Sequence, residues 1–181
     1  MTWEMLIIAT VRVVGSLPVL RWAFLGGIVA LLVDQSDLFM MNLIDLGGVT
    51  SYQPFDKYLD QVYMLTFLAV ALRWEGVTRT IAVALFGYRL VGFFIFEVTG
   101  SRDILLFFPN VFEFWFLFVA GLKYFKVDFD YSRTRLAVSG AVLLTAKLFQ
   151  EYVLHYARWL DGFTSVEAVK AIWEWLTGPI R

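Results

Sequence analysis

Long apolar runs separated by short polar breaks make up most of this chain. Residues 21–43, 55–74, 77–98, 104–125 and 136–160 are each uninterrupted enough to form a helix, and each approaches or exceeds the roughly 20 residues that carry a helix across hydrocarbon. Residues 3–20 are also apolar but contain Glu4 and Arg12. That run admits two readings: a short crossing, or a helix in the interface that turns at Pro18. The breaks carry turn chemistry. Asp45, Gly47, Gly48, Ser51 and Pro54 mark a loop, with Pro54 suited to the first turn of the next helix, and Thr99, Gly100 and Ser101 close the third clear run. Pro109 predicts a kink in the fourth run. Residues 126–135 are the most polar loop, and residues 166–176 form a short amphipathic tail with Trp173 and Trp175 placed for the interface. The pattern predicts an all-α fold: a polytopic helical transmembrane bundle of five or six spans with an amphipathic terminal helix. With no internal repeat and no linker, residues 1–181 read as one integral membrane domain.

Composition strengthens this reading. Hydrophobic residues occupy 60% of the 181 positions and aromatic residues 18%, more apolar surface than a water-soluble domain of this size hides in one core. The bilayer is therefore the expected partner, and a bacterial or archaeal inner membrane the expected location. A formal net charge of −1 supplies no basic field, which sets nucleic acid aside. The absence of cysteine excludes disulfides, thiolate nucleophiles and Cys-ligated metal. Glu4 ahead of Arg12 is the wrong order for a signal peptide, so the N-terminus is expected to be retained.

Charges within apolar runs are the candidate chemistry, because each costs at least about 2.5 kcal/mol near a bilayer centre unless paired, hydrated or metal-bound. Asp34 and Asp37 stand three apart, and Asp56 and Asp60 stand four apart. Either spacing puts both carboxylates on one helical face. Neighbouring antiparallel helices can bring all four to one membrane face, where repulsion calls for cations. Hard oxygen ligands suit Mg²⁺, Mn²⁺ or Ca²⁺. The plainer alternative is a set of hydrated acids at headgroup level.

Asp34-x-x-Asp37 followed by Asp56-x-x-x-Asp60 resembles the signature of the CDP-alcohol phosphotransferases, six-span membrane enzymes of about this length. Their pattern is D-x-x-D-G-x-x-A-R, a short gap, then G-x-x-x-D-x-x-x-D. The run from Thr10 through Arg12 to Val14 looks like the arginine-bearing start of that family's first helix. This chain departs from the pattern at Leu38, Met41, Asn42 and Tyr52, positions that help hold the cytidine diphosphate in the family. The resemblance implies that Asp34, Asp37, Asp56 and Asp60 hold Mg²⁺ or Mn²⁺, and that Asp60 is the catalytic base. It further implies that a phosphatidyl group passes from a CDP-activated lipid to an alcohol, with CMP leaving. An inactive relative of those enzymes fits the same pattern.

Other charges have structural readings. Lys147, Glu151 and His155 line one helical face, either as a proton relay or as a Lys147–Glu151 ion pair with His155 near the interface. Arg89 is a candidate interhelical partner for Glu113, and Glu97 is a further deep charge. The Phe-rich residues 107–118 read as a packing or lipid-facing surface, and Gly26–Gly27 permits close helix approach. With these spans, Arg21, Arg73, Arg79, Lys123, Lys126, Arg133 and Arg135 fall on one membrane side. Lys57, Arg102, Arg158, Lys170 and Arg181 fall on the other, with the acids. The positive-inside rule puts the seven in the cytoplasm and the acids outside, whereas the resembled enzymes work on the cytoplasmic side. Three classes remain: a phosphotransferase-like protein, a homodimer in its simplest assembly; a non-catalytic accessory or structural subunit of a larger membrane complex; and a small ion transporter subunit.

Overall fold

The computed structural model describes residues 2–36, 52–100, 104, 107–152, 170, 173–175 and 177–178. Among these residues every regular element is helical. The elements are α1 (Trp3–Ser16), a 3-10 turn (Leu17–Leu20), α2 (Ala23–Gln35), α3 (Tyr52–Ala71), α4 (Gly76–Thr99), α5 (Val111–Tyr124) and α6 (Arg133–Glu151). Two stretches are long and apolar enough to cross a membrane, Trp3–Leu20 and Gly76–Thr99, and α2 is a shorter apolar helix.

Local chemistry sets the helix ends. The Thr2 hydroxyl accepts from the Met5 amide at 3.2 Å and caps α1. Pro18 opens the 3-10 turn, where its missing N–H leaves nothing unsatisfied. The chain then folds α2 back along α1, so residues 3–20 belong to the packed bundle, with Ile8, Arg12 and Ser16 buried. Gly26 makes that return possible: a Cβ there would run into the Pro18 carbonyl carbon and the Val19 amide. Gly100, at φ 66°, ends α4 in the left-handed conformation that glycine adopts freely.

Aromatic packing centres on α3 and α5. Phe67 stacks on Phe116 at 4.0 Å between centroids, Trp74 lies 5.3 Å from the same ring, and Phe86 meets Phe112 edge-on at 5.5 Å. Phe112 and Phe116 are fully buried while Phe107 is exposed, so the Phe-rich stretch supplies core as well as surface. The connections around residues 21, 72–75 and 125–132 gather at one end. Arg73 donates to the Leu20 carbonyl at 3.3 Å, and the Phe24 ring contacts both Tyr124 and Phe125 at 5.4 Å. That is the end to which the sequence assigned seven basic residues.

The fourth apolar run is a break, not a kinked helix. α5 begins at Val111, after Pro109, because proline cannot continue the amide ladder and collides with the preceding turn. The carbonyls left at the break are satisfied from α4, by the Tyr88 hydroxyl at Phe107 and by Arg89 Nη1 at Phe108, 2.8 Å away. This overturns the expected Arg89–Glu113 pair: a released backbone carbonyl claims Arg89, and Glu113 is met by Lys147.

Candidate functional site: a buried acid–arginine cluster

Arg12 enters from α1, Asp34 from the last turn of α2, and Asp56 and Asp60 from the first turns of α3. All three carboxylates reach the same guanidinium. Arg12 Nη1 donates to Asp56 Oδ1 at 3.0 Å, Nη2 donates to Asp60 Oδ1 at 2.7 Å, and Nη2 also abuts Asp34 Oδ1. Lys57 closes the other side, its Nζ 2.8 Å from Asp56 Oδ2 and 3.1 Å from Asp60 Oδ2. The Arg12 side chain is 3% exposed and that of Asp60 11%, so water does little to offset the charges and each must be answered by a neighbour. A planar fork of donors is suited to this, since it serves several carboxylates at once.

A second polar group lies one turn deeper on the same face of α3, because Asp56, Asp60 and Tyr63 follow at i, i+4 and i+7. Tyr63 donates to Glu113 Oε2 at 2.9 Å, and Asn110 Nδ2 donates to the same oxygen at 3.0 Å. Lys147 donates to Glu113 Oε1 at 2.6 Å, to Gln150 Oε1 at 2.9 Å, and lies 3.2 Å from Glu151. The Lys147–Glu151 pair expected from the sequence is therefore present, joined to an interhelical partner. Glu97 instead accepts from the Tyr58 hydroxyl at 2.8 Å.

The sequence-derived site residues thus divide. Asp34, Asp56 and Asp60 are brought together. Asp37 lies outside the described residues, as do Leu38, Met41, Asn42 and His155, and so does the Tyr52 side chain. Arg12 was singled out in the sequence only as a flank of the acid motif, yet it is the hub. Lys57, Tyr63 and Asn110 were missed. Lys57 had a signal in its position between Asp56 and Asp60, and Tyr63 in its helical spacing from them; Asn110 had none.

Carboxylate oxygens are the right donors for Mg²⁺ or Mn²⁺; in this structure those of Asp34, Asp56 and Asp60 face Arg12 and Lys57. One oxygen of each of the three acids is taken by Arg12, and the second oxygens of Asp56 and Asp60 are taken by Lys57. Among the described residues no group of three His, Asp or Glu side chains is placed to hold a metal ion. No family model, no curated protein and no solved structure matches this chain.

Proposed function

We propose that this chain is an integral membrane protein of five or six spans, similar to the CDP-alcohol phosphotransferases in its acid-bearing helices but non-catalytic, acting as a structural or accessory subunit within the bilayer. The membrane part of this reading is supported by charges buried in the bundle while large apolar side chains lie on its surface. Glu4, Arg12, Asp60, Arg89, Glu113 and Lys147 are all buried, while Val98 is 88% exposed, Phe107 73% and Leu32 65%. Water favours the opposite arrangement and hydrocarbon favours this one.

The non-catalytic part is carried by a single observation: the Arg12 guanidinium sits among the three carboxylates where divalent cations would have to sit. Catalysis of phosphoryl transfer needs those cations to offset charge on a pyrophosphate. Arg12 and Lys57 already offset most of the charge of these three acids, which leaves little of it to hold such cations. Charge that would otherwise repel instead ties α1, α2 and α3 together.

Calorimetric titration of the purified protein with Mg²⁺ and Mn²⁺, together with a CMP-release assay using CDP-activated lipid and a panel of alcohols, tests this. The expected outcome is no saturable heat and no CMP. A second reading, the metal-dependent transferase, is favoured by the convergence of Asp34, Asp56 and Asp60 from two helices. CMP release that Asp60→Asn abolishes would establish it and overturn the first.

A further inference from the structure

α4 and α6 both pack against α5, and between them runs an apolar groove of about 460 Å³, floored by Val111 and Trp115 and walled by Leu85 and Leu143. Its volume is within the roughly 300–1,000 Å³ of pockets that hold small organic ligands. Directly beside it, at the basic end of the bundle, opens a polar recess of about 560 Å³ flanked by Arg73, Lys123 and Tyr131. The two meet at one hydrogen bond: Trp115, from the groove, donates its indole N–H to the carbonyl of Thr78, from the recess, at 3.2 Å. Glu75 is also on the recess rim, but two cations leave the rim positive. A cationic mouth next to an apolar trough matches an amphiphile with a negative head.

We propose that this recess binds one anionic phospholipid, its phosphate at Arg73 and Lys123 and an acyl chain along the groove beneath. The inference rests on the membrane reading above and is independent of the acid cluster, which lies toward the other end of the helices. Charge complementarity identifies the occupant. The seven basic residues expected on this side face the leaflet that carries anionic lipid if the positive-inside rule holds.

Gly140 gives a clean test, since it lines the groove and a Cβ there meets nothing within 4 Å. Gly140→Phe should fill the trough without disturbing the fold. The probe is thermal unfolding of the purified full chain in detergent doped with phosphatidylglycerol, with phosphatidylcholine, or with inorganic phosphate. Phosphatidylglycerol should raise the unfolding temperature, phosphatidylcholine less, and phosphate not at all. Arg73→Gln with Lys123→Gln should erase the preference between the lipids, a loss of roughly thirty-fold in relative affinity for two interfacial cations. Gly140→Phe should remove the effect of both lipids. Equal stabilisation by the two lipids, an equal shift with phosphate, or a full phosphatidylglycerol effect in Gly140→Phe would each overturn the proposal. So would a dimer that Gly140→Phe dissociates without altering lipid response, which would assign the groove to a second copy. Release of the chain from membranes by alkaline carbonate would instead sink the membrane reading on which the proposal stands.

Discussion

Removing the Arg12 guanidinium would leave Asp34, Asp56 and Asp60 facing one another with Lys57 as their remaining described ion-pair partner. Unpaired buried charge is what makes such deletions severe, at about 3–5 kcal/mol. Arg12→Met is therefore expected to lower the unfolding temperature of the detergent-solubilised protein sharply. Arg12→Lys should lower it by an intermediate amount, because an ammonium keeps the charge but lacks the fork that serves Asp56 and Asp60 through separate nitrogens. Arg12→Met combined with Asp34→Asn and Asp60→Asn should recover much of the loss, since it removes charge from both sides. An Arg12→Met protein as stable as wild type would show that the cluster ties nothing together. At this scale the sequence was informative about which residues matter and silent about what neutralises them. The spacing of Asp56 and Asp60 places both on one face, but nothing in the spacing says whether the cation between them is a metal or a side chain from α1.

The helices depend on a few positions where backbone approaches backbone. Gly26 is the sharpest of these, because a methyl group there would overlap the main chain of Pro18 and Val19, which cannot move aside as a flexible side chain could. Gly26→Val is expected to pry α2 from the 3-10 turn and destabilise the protein by about 2 kcal/mol or more, within the range of overpacking, measurable as increased proteolysis around residues 17–26. Gly140→Phe, where the added side chain has room, serves as the control. The Gly26–Gly27 pair was legible as a close approach, while its partner was not. The Pro109 break shows the converse. Proline predicted a disturbance at the right residue, but whether it bends or ends a helix depends on whether neighbours can satisfy the freed carbonyls, and Tyr88 and Arg89 do so only because α4 lies alongside.

Among the described residues, six charged side chains are buried and many large apolar ones are exposed around an aromatic core, with three connections and seven basic residues at one end. A chain without cysteine is a ready background for single-cysteine labelling. Arg79→Cys and Arg133→Cys should react with a membrane-impermeant maleimide from the cytoplasmic side of sealed vesicles, and Trp3→Cys from the opposite side. Labelling of all three from one face would rule out a bundle in which α1 and α4 cross the bilayer. Trp173 and Trp175, read from the sequence as interfacial, are exposed.

Hydrophobic periodicity determined that the chain is helical, where α4 would be, and that Asp56 and Asp60 share a face, while proline offered the turn at Pro18 as one of two readings. These depend on neighbours within a few positions along one chain, which the sequence displays directly. Only the tertiary structure decided that Arg12 reaches three acids, that Glu113 belongs to Lys147 and not to Arg89, and that α4 and α6 leave a groove over α5. Each of those outcomes depends on the rotation and depth of one helix against another, and a difference of a single residue in helical register turns a side chain by about 100° at 3.6 residues per turn.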